Sequence, residues 1–323
     1  VSTAILFQGD NRRRRLDRVG PIWIVLALVL VAATLLSDRF LSPDNIVNVL
    51  HQGAIVGIVA LGMTVVLISG HFDLSTGAVV MMAAVMSIVI GPSTPGLTVV
   101  AIILPLLAGA AVGLVNGLVV AGLKANSIIA TLGMQFLLFG GVLAAVGGAH
   151  VRTDGETEFF LALAGGSLFG LPMPVVVFLG LAVFAAVLMH LTVYGRHLYA
   201  IGGDVEAARR AGIRLVRDGT FAFVLSGTFA AISGILVASR VRHLDPTGVA
   251  GYEFPALTAA VLGGAALSGG IGRPLDTVAA ILVITIVTNV MTLKGLPYSS
   301  QLFAQGLILA AAVAYHEYRR RES

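Results

Sequence analysis

Long apolar runs separated by short polar breaks dominate the chain. Stretches near 20–37, 46–69, 74–91, 97–121, 127–147, 173–193, 219–239, 254–270, 275–293 and 299–316 are each close to the roughly 20 apolar residues a membrane-crossing helix needs. The pattern predicts an all-α integral membrane protein of about ten transmembrane helices. Two stretches are weaker than the rest. The second and third runs are parted only by Gly70-His71-Phe72-Asp73, and the eighth is short and rich in glycine, so either is a candidate for a broken or re-entrant segment.

Composition points to the same solvent. Of 323 residues, 57% are hydrophobic and 11% charged, more apolar surface than one soluble core could cover. The 39 glycines suit a bundle whose helix backbones approach closely in lipid. With no cysteine, disulfides and thiolate chemistry are excluded. Residues 1–20 hold no apolar stretch long enough for a cleavable signal, so 1–19 read as a short cytoplasmic arm, 20–318 as a single transmembrane domain and 319–323 as a cytoplasmic tail.

Charge placement sets an orientation. With the N-terminus inside, Arg12 to Arg15, Arg18, Lys124, Arg196, Arg209, Arg210, Arg214, Arg217, Arg273 and Arg319 to Arg321 fall on the cytoplasmic side. Only Arg39, Arg152, Arg240, Arg242 and Lys294 fall outside. The positive-inside rule then predicts ten helices with both termini cytoplasmic. It also reads the net charge of +4 as topology and excludes a nucleic-acid partner, leaving lipid.

An internal repeat is suggested by two pairs of segments. LISGHFDLSTG (67–77) aligns with AVLGGAALSGG (260–270), setting Gly70 over Gly263 and Leu74-Ser75 over Leu267-Ser268. LKANSIIATLGMQFLLFGGVLA (123–144) echoes LKGLPYSSQLFAQGLILAAAVA (293–314). Helices two to five would then recur as seven to ten in the opposite orientation, and an inverted repeat places a solute path near the midplane at the repeat interface.

Several residues carry candidate chemistry along that path. Asp73 either caps the helix that starts at Leu74 or faces a water-filled route, and Ser75 can bond its own backbone or a solute. Asn116 and Asn289 bring carboxamides into apolar helices, where they must face protein or water. Gly263, Gly264 and Ser268 complete the candidate pathway. Gly109, Gly113 and Gly117 form small-xxx-small steps for close helix packing. No HExxH, GxSxG or GxxxxGK[ST] motif occurs, so the chain reads as neither an enzyme nor an ATP-binding protein, and no cofactor or metal site is expected in it.

The longest cytoplasmic loop, 194–218, contains GRHLYAIGGDVEAARRAGIRLVRD. Asp204 is placed to cap a short helix over Val205 to Ala211, and Gly212 to end it in a left-handed turn. This loop resembles the coupling segment of ABC importer permeases, and YAIGGDVEAARRAGI resembles their ribose, xylose, galactoside and autoinducer branch. GHFDLSTGAVV (70–80), NGLVVAGLKANSIIATLG (116–133) and GYEFPALTAAVLGGAALSGGIG (251–272) follow in the same order.

The resemblance implies a translocation subunit for a small neutral sugar or sugar-like solute in a bacterial cytoplasmic (inner) membrane. It implies a second permease copy or paralogue, a periplasmic or lipoprotein solute-binding protein, and an ABC ATPase subunit carrying ATP and Mg. That ATPase would dock on Gly202, Gly203, Asp204, Glu206, Ala207, Ala208, Arg209 and Gly212. The chain departs from the family pattern at His71-Phe72, at Ala125-Asn126 and over Arg273 to Thr277. The competing reading is an H⁺- or Na⁺-coupled secondary transporter, which requires an ionisable group within a span, and Asp73 is its sole candidate.

Overall fold

The computed structural model describes residues 20–241, 243–249 and 251–322, without the side chains of Val249 and 315–322. The arm with Arg12 to Arg15 and Arg18, Arg242, His316-Glu317 and the side chains of Arg319 to Arg321 lie outside the described residues.

The helices are α1 (Pro21–Leu36), α2 (Pro43–Ile68), α3 (Thr76–Ile90), α4 (Pro95–Gly117, continued by a π turn over Leu118–Gly122), α5 (Ser127–Ala145), α6 (Glu158–Gly165), α7 (Met173–Leu191), α8 (Val193–Gly203), α9 (Val205–Arg210), α10 (Leu215–Arg240), α11 (Glu253–Leu262), α12 (Pro274–Leu293) and α13 (Tyr298–Glu322). Proline at the first turn starts α1, α2, α4 and α12, where its missing N–H leaves no bond unmade. Two antiparallel ribbons tie the loops, β1 (Val151–Arg152) with β4 (His243–Leu244), and β2 (Ser167–Leu168) with β3 (Leu171–Pro172).

Among the described residues, 6 helices are long and apolar enough to cross a membrane: α2, α4, α5, α7, α10 and α12. The apolar helices Pro21–Leu36, Thr76–Ile90 and Tyr298–Ala314 are shorter. The eighth predicted run, 254–270, contracts to α11. Gly263 and Gly264 stop it, Gly264 taking a left-handed φ of +91°.

α2 and α10 form the buried centre, flanked by α3 and α12. The apolar window of α2 is 89% buried and that of α5 only 6%, which sets α5 on the periphery. Leu28 and Leu35 of α1, Val99 and Leu107 of α4, Phe136 and Leu137 of α5, and Leu191 of α7 are exposed. Apolar side chains displayed around a polar-poor bundle are the surface that hydrocarbon solvates.

α4 lies against α10 through the predicted glycines. A Cβ on Gly113 would strike the Phe223 carbonyl and stand 2.8 Å from Val224 Cα, while one on Gly117 would stand 2.5 Å from Thr220 Cα. Gly109 meets Gly227 of α10 in the same way. The three glycines form one contact seam.

For the pair 67–77 and 260–270 the structure gives another register and another sense than the repeat expects. At the end of α2, Gly70 (φ +83°) donates to Leu67 O at 2.9 Å and His71 N to Val66 O at 3.2 Å. At the end of α11, Gly264 donates to Val261 O at 2.9 Å and Ala265 N to Ala260 O at 3.0 Å. Both are Schellman ends, and they set Gly70 over Gly264, one residue from the sequence alignment.

The two helices are also parallel. Gln52 and Val56 of α2 share a cavity with Phe254 and Thr258 of α11, and farther along Met63 and Leu67 cluster with Ala260 and Val261. The aligned pair joins the second run to the eighth, an even step, so these are like-directed helix ends and not inverted copies.

The seam sets the first test. Gly113→Leu should cost roughly 1–3 kcal/mol or more because backbone on α10 cannot yield. Gly140, with nothing within 4 Å of an added Cβ, is the control. Thermal unfolding of the two variants in detergent should separate them, with Gly140→Leu unfolding at the wild-type temperature.

Candidate functional site

Three chain segments converge on glycines at one end of the bundle. Residues 69–75 follow α2, residues 263–273 follow α11, and the end of α8 lies against both. Gly270 donates its N–H to Ile68 O at 2.9 Å, joining the two interrupted segments directly. A Cβ on Gly202 would collide with that same Ile68 carbonyl and with Gly270 N. A Cβ on Gly269 would stand 2.6 Å from Gly70 Cα, and one on Gly270 2.9 Å from Gly203 Cα. Bare backbone is in contact on all three sides.

The sequence argument holds for the segment that leaves this junction. Asp204 Oδ1 accepts from Glu206 N at 2.9 Å and Ala207 N at 3.0 Å, capping α9. Gly212, at φ +79°, ends the short helix after Ala211. Ala208 is buried against the bundle, while Glu206 and Arg209 are exposed and paired at 2.7 Å.

α8 is fixed from behind by groups the sequence reasoning did not single out. His197 Nδ1 lies 2.7 Å from Asp218 Oδ2, and Tyr194 OH donates to Asp218 O at 3.1 Å. Tyr199 OH donates to Gly272 O at 2.7 Å. Burial pushes the Tyr199 phenol up to about 12, so it remains a donor across physiological pH.

The interrupted segment after α2 is satisfied by side chains. Buried Asp73 accepts from Ser75 N at 3.2 Å and Ser75 Oγ at 2.6 Å, holding the turn into α3, and Asn116 Nδ2 donates to Ser75 Oγ at 2.8 Å. Phe72 N donates to Ser127 Oγ at 3.1 Å and Leu74 N to Thr131 Oγ1 at 3.0 Å.

One turn farther along α5, Gln135 Nε2 donates to Glu253 Oε1 at 2.7 Å. Ser127, Thr131 and Gln135 thus form a polar stripe at i, i+4, i+8, which ties α5 to the segment after α2 and to the start of α11. Glu253 is 2% exposed, and its second oxygen has no hydrogen-bond partner. Glu253 opens α11 within reach of Gly77 on α3, so Asp73 is not the only carboxylate buried among these helices.

The remaining predicted residues divide. Gly263 sits with its Cβ direction 2.8 Å from Thr277 N, packing α11 on the start of α12, and Gly264 faces open space. Ser268 is exposed beside the junction. Asn289 lies elsewhere: its carboxamide and that of Asn45 exchange hydrogen bonds of 2.8 and 3.0 Å, a clamp between α12 and α2. Among the described residues, no group of three or more His, Asp or Glu could hold a metal ion.

The junction separates neighbouring glycines. Gly202→Ala should lower stability by roughly 1–3 kcal/mol, since two backbones would have to part. Gly203→Ala, which meets nothing within 4 Å, should unfold at the wild-type temperature. Equal behaviour of the two in thermal unfolding would remove the contact.

Comparison with known proteins bears on what this junction serves. Residues 45–312 match the family described as branched-chain amino acid transport system / permease component. The chain is 37% identical over 321 residues to the L-arabinose transport system permease protein AraH of Escherichia coli (strain K12), covering 94% of this chain and 93% of that one. It is 35% identical over 311 residues to the ribose import permease protein RbsC of Bacillus subtilis (strain 168), covering 95% and 96%. Against RbsC of Escherichia coli (strain K12) the figures are 34% over 296 residues, 90% and 91%. No solved structure matches it. These matches displace the ion-driven secondary carrier, and the chain belongs to this permease family as the membrane component of an ABC importer whose ATP hydrolysis resides in another subunit.

Proposed function

We propose that this chain imports a neutral pentose of the arabinose or ribose kind, and that α9 is the surface on which its ATPase docks. The proposal takes its solute from what the similar permeases are named for. One observation carries the docking reading: Gly202, two residues before the α9 cap, touches Ile68 and Gly270 together. A push on α9 therefore reaches both interrupted segments through backbone contacts, with no flexible side chain between.

In this reading the ten apolar helices all cross or enter the membrane, α3 and α11 as half-spans completed by the segments that follow α2 and α11. Both termini and the 194–218 loop are cytoplasmic, and residues 20–318 form one domain between the arm and the tail. The correspondence of helices two to five with seven to ten would rest on α5 and α13, since the 67–77 and 260–270 pairing fails. The path runs beside Asp73, Ser75, Asn116, Gly263, Gly264 and Ser268, with Gln135 and Glu253 added. Asn289 acts as a packing clamp. A second permease copy or paralogue closes the path, a binding protein delivers the sugar, and ATP with Mg binds the ATPase.

The reading is tested in vesicles containing the permease, its ATPase and its binding protein. L-arabinose or D-ribose uptake should require internal ATP and survive collapse of the proton and sodium gradients. Glu206→Arg and Gly212→Val should weaken ATPase docking by roughly tenfold or more while the permease stays folded. Wild-type pull-down and sugar-stimulated ATP hydrolysis in both variants would refute α9 as the docking surface.

A further inference from the structure

At the end of the molecule away from α8 and α9, a cavity of about 830 Å³ opens between α2, α10, α11, α12 and α13. Its wall includes Gln52, Gln301, Gln305, Tyr252, Tyr298 and Arg240. Gln52 comes from within α2, and Gln301 and Gln305 stand one turn apart on α13, so three carboxamides from two apolar helices converge on one space. Gln301 donates to Thr292 Oγ1 at 3.1 Å. Among the described residues, Gln52 and Gln305 have no hydrogen-bond partner.

Each carboxamide carries two donor hydrogens and two acceptor lone pairs, none of which hydrocarbon can meet. Facing lipid would be the costly arrangement for these groups. The cavity volume falls within the roughly 300–1,000 Å³ of small-molecule sites.

The lining selects a chemical class. Among the described residues no carboxylate lines the cavity, so nothing in it favours a cation. The Arg240 guanidinium is drawn to the rim, 3.3 Å from His51 Nδ1 and 3.2 Å from Asn48 Oδ1. Thr285 and Thr288 spend their hydroxyl hydrogens on Ile281 O and Ile284 O within α12. The rest of the wall is apolar, with Ile55, Val56, Phe254, Ile281 and Leu309 among it, and onto it three neutral amides and two phenol rings bring groups that exchange hydrogen bonds with hydroxyls and offer flat faces to a sugar ring.

We propose that this cavity holds one neutral monosaccharide in ring form before it passes the interrupted helices, with Gln52, Gln301 and Gln305 bonding its hydroxyls and Tyr252 and Tyr298 bordering its ring. The proposal rests on the sugar-importer reading. The cavity wall includes Phe254, Pro255 and Thr258 of α11, the half-helix that runs on to Gly263 and the junction, so an occupant touches the element that the docking end also touches.

The chain contains no cysteine, which makes single-cysteine labelling direct. Gln305→Cys and, on the facing helix, Thr288→Cys are introduced separately into the assembled complex in vesicles, with Leu28→Cys on the exposed face of α1 as control. A charged, membrane-impermeant thiol reagent should label the two cavity positions and spare position 28. L-arabinose or D-ribose should slow cavity labelling along a saturation curve, roughly tenfold at ten times its dissociation constant by mass action.

Absence of labelling at both cavity positions would show a lipid-filled crevice and overturn the proposal. Labelling indifferent to sugar, in vesicles where the wild type imports that sugar, would overturn the cavity site alone. No ATP-driven uptake of either sugar by the wild type would overturn the solute reading and this proposal with it.

Discussion

The hydrogen bond from Gly270 N to Ile68 O, 2.9 Å long, organises this molecule. It joins the ends of two helices that stop short, and it forms only because no side chain stands between the strands of backbone that meet there. Gly70, Gly202, Gly269 and Gly270 supply that bareness from three separate parts of the chain. Were Gly202, Gly269 or Gly270 to carry a Cβ, the end of α8 would be lifted from the interrupted helices and the docking end would lose its rigid connection to the path. Left-handed φ values at Gly70, Gly269 and Gly270 add a second reason why other residues fit poorly.

Interrupting a helix inside a membrane frees backbone groups that lipid cannot satisfy, and the way they are satisfied decides which helices can move. After α2, hydroxyls of α5 accept the Phe72 and Leu74 amides. Besides these bonds α5 packs only partly buried apolar side chains, Leu138, Phe139 and Val142, against the core, so its fully buried attachment is polar and discrete. Such an attachment can be exchanged for water or a passing hydroxyl far more readily than the α4–α10 seam can be opened, because polar contacts between membrane helices are individually modest whereas interlocked backbones must separate as a unit. The rigid and the mobile parts of the bundle are thus chosen by two kinds of contact.

Local signals were legible in the sequence and distant ones were not. Asp204 and Gly212 announce α9 because a cap and a stop act within a few residues, and Gly109, Gly113 and Gly117 announce the seam because their spacing alone puts them on one face. Glu253 gives no signal in the sequence because an acid in the first turn of a helix ordinarily faces water; its partner Gln135 is far away in sequence, and only folding shows that the carboxylate is buried. Asp218, beside the arginines of the loop, is silent for the same reason. The pairing of 67–77 with 260–270 is a different case. Glycine-rich apolar segments align in many registers, and the hydrogen bonds that set Gly70 against Gly264 have no letter in the sequence.

Half-length α11 links these observations. A full-length helix would be held along its whole side by its neighbours, and a push at one end would be spread over every contact. α11 spans only Glu253–Leu262, with the buried carboxylate at its start and a Schellman end at its finish, and it is followed by a loop whose glycines touch both α8 and the end of α2. Its start is tied to α5 by the hydrogen bond from Gln135, its middle is buried against α2 through Ala260 and Val261, and its finish meets the junction through backbone contact. A displacement of α8 therefore has a short lever to act on. The same short helix, α11, borders the cavity between α2 and α13 through Phe254, Pro255 and Thr258, so a displacement of α11 would move the wall against which a solute would rest.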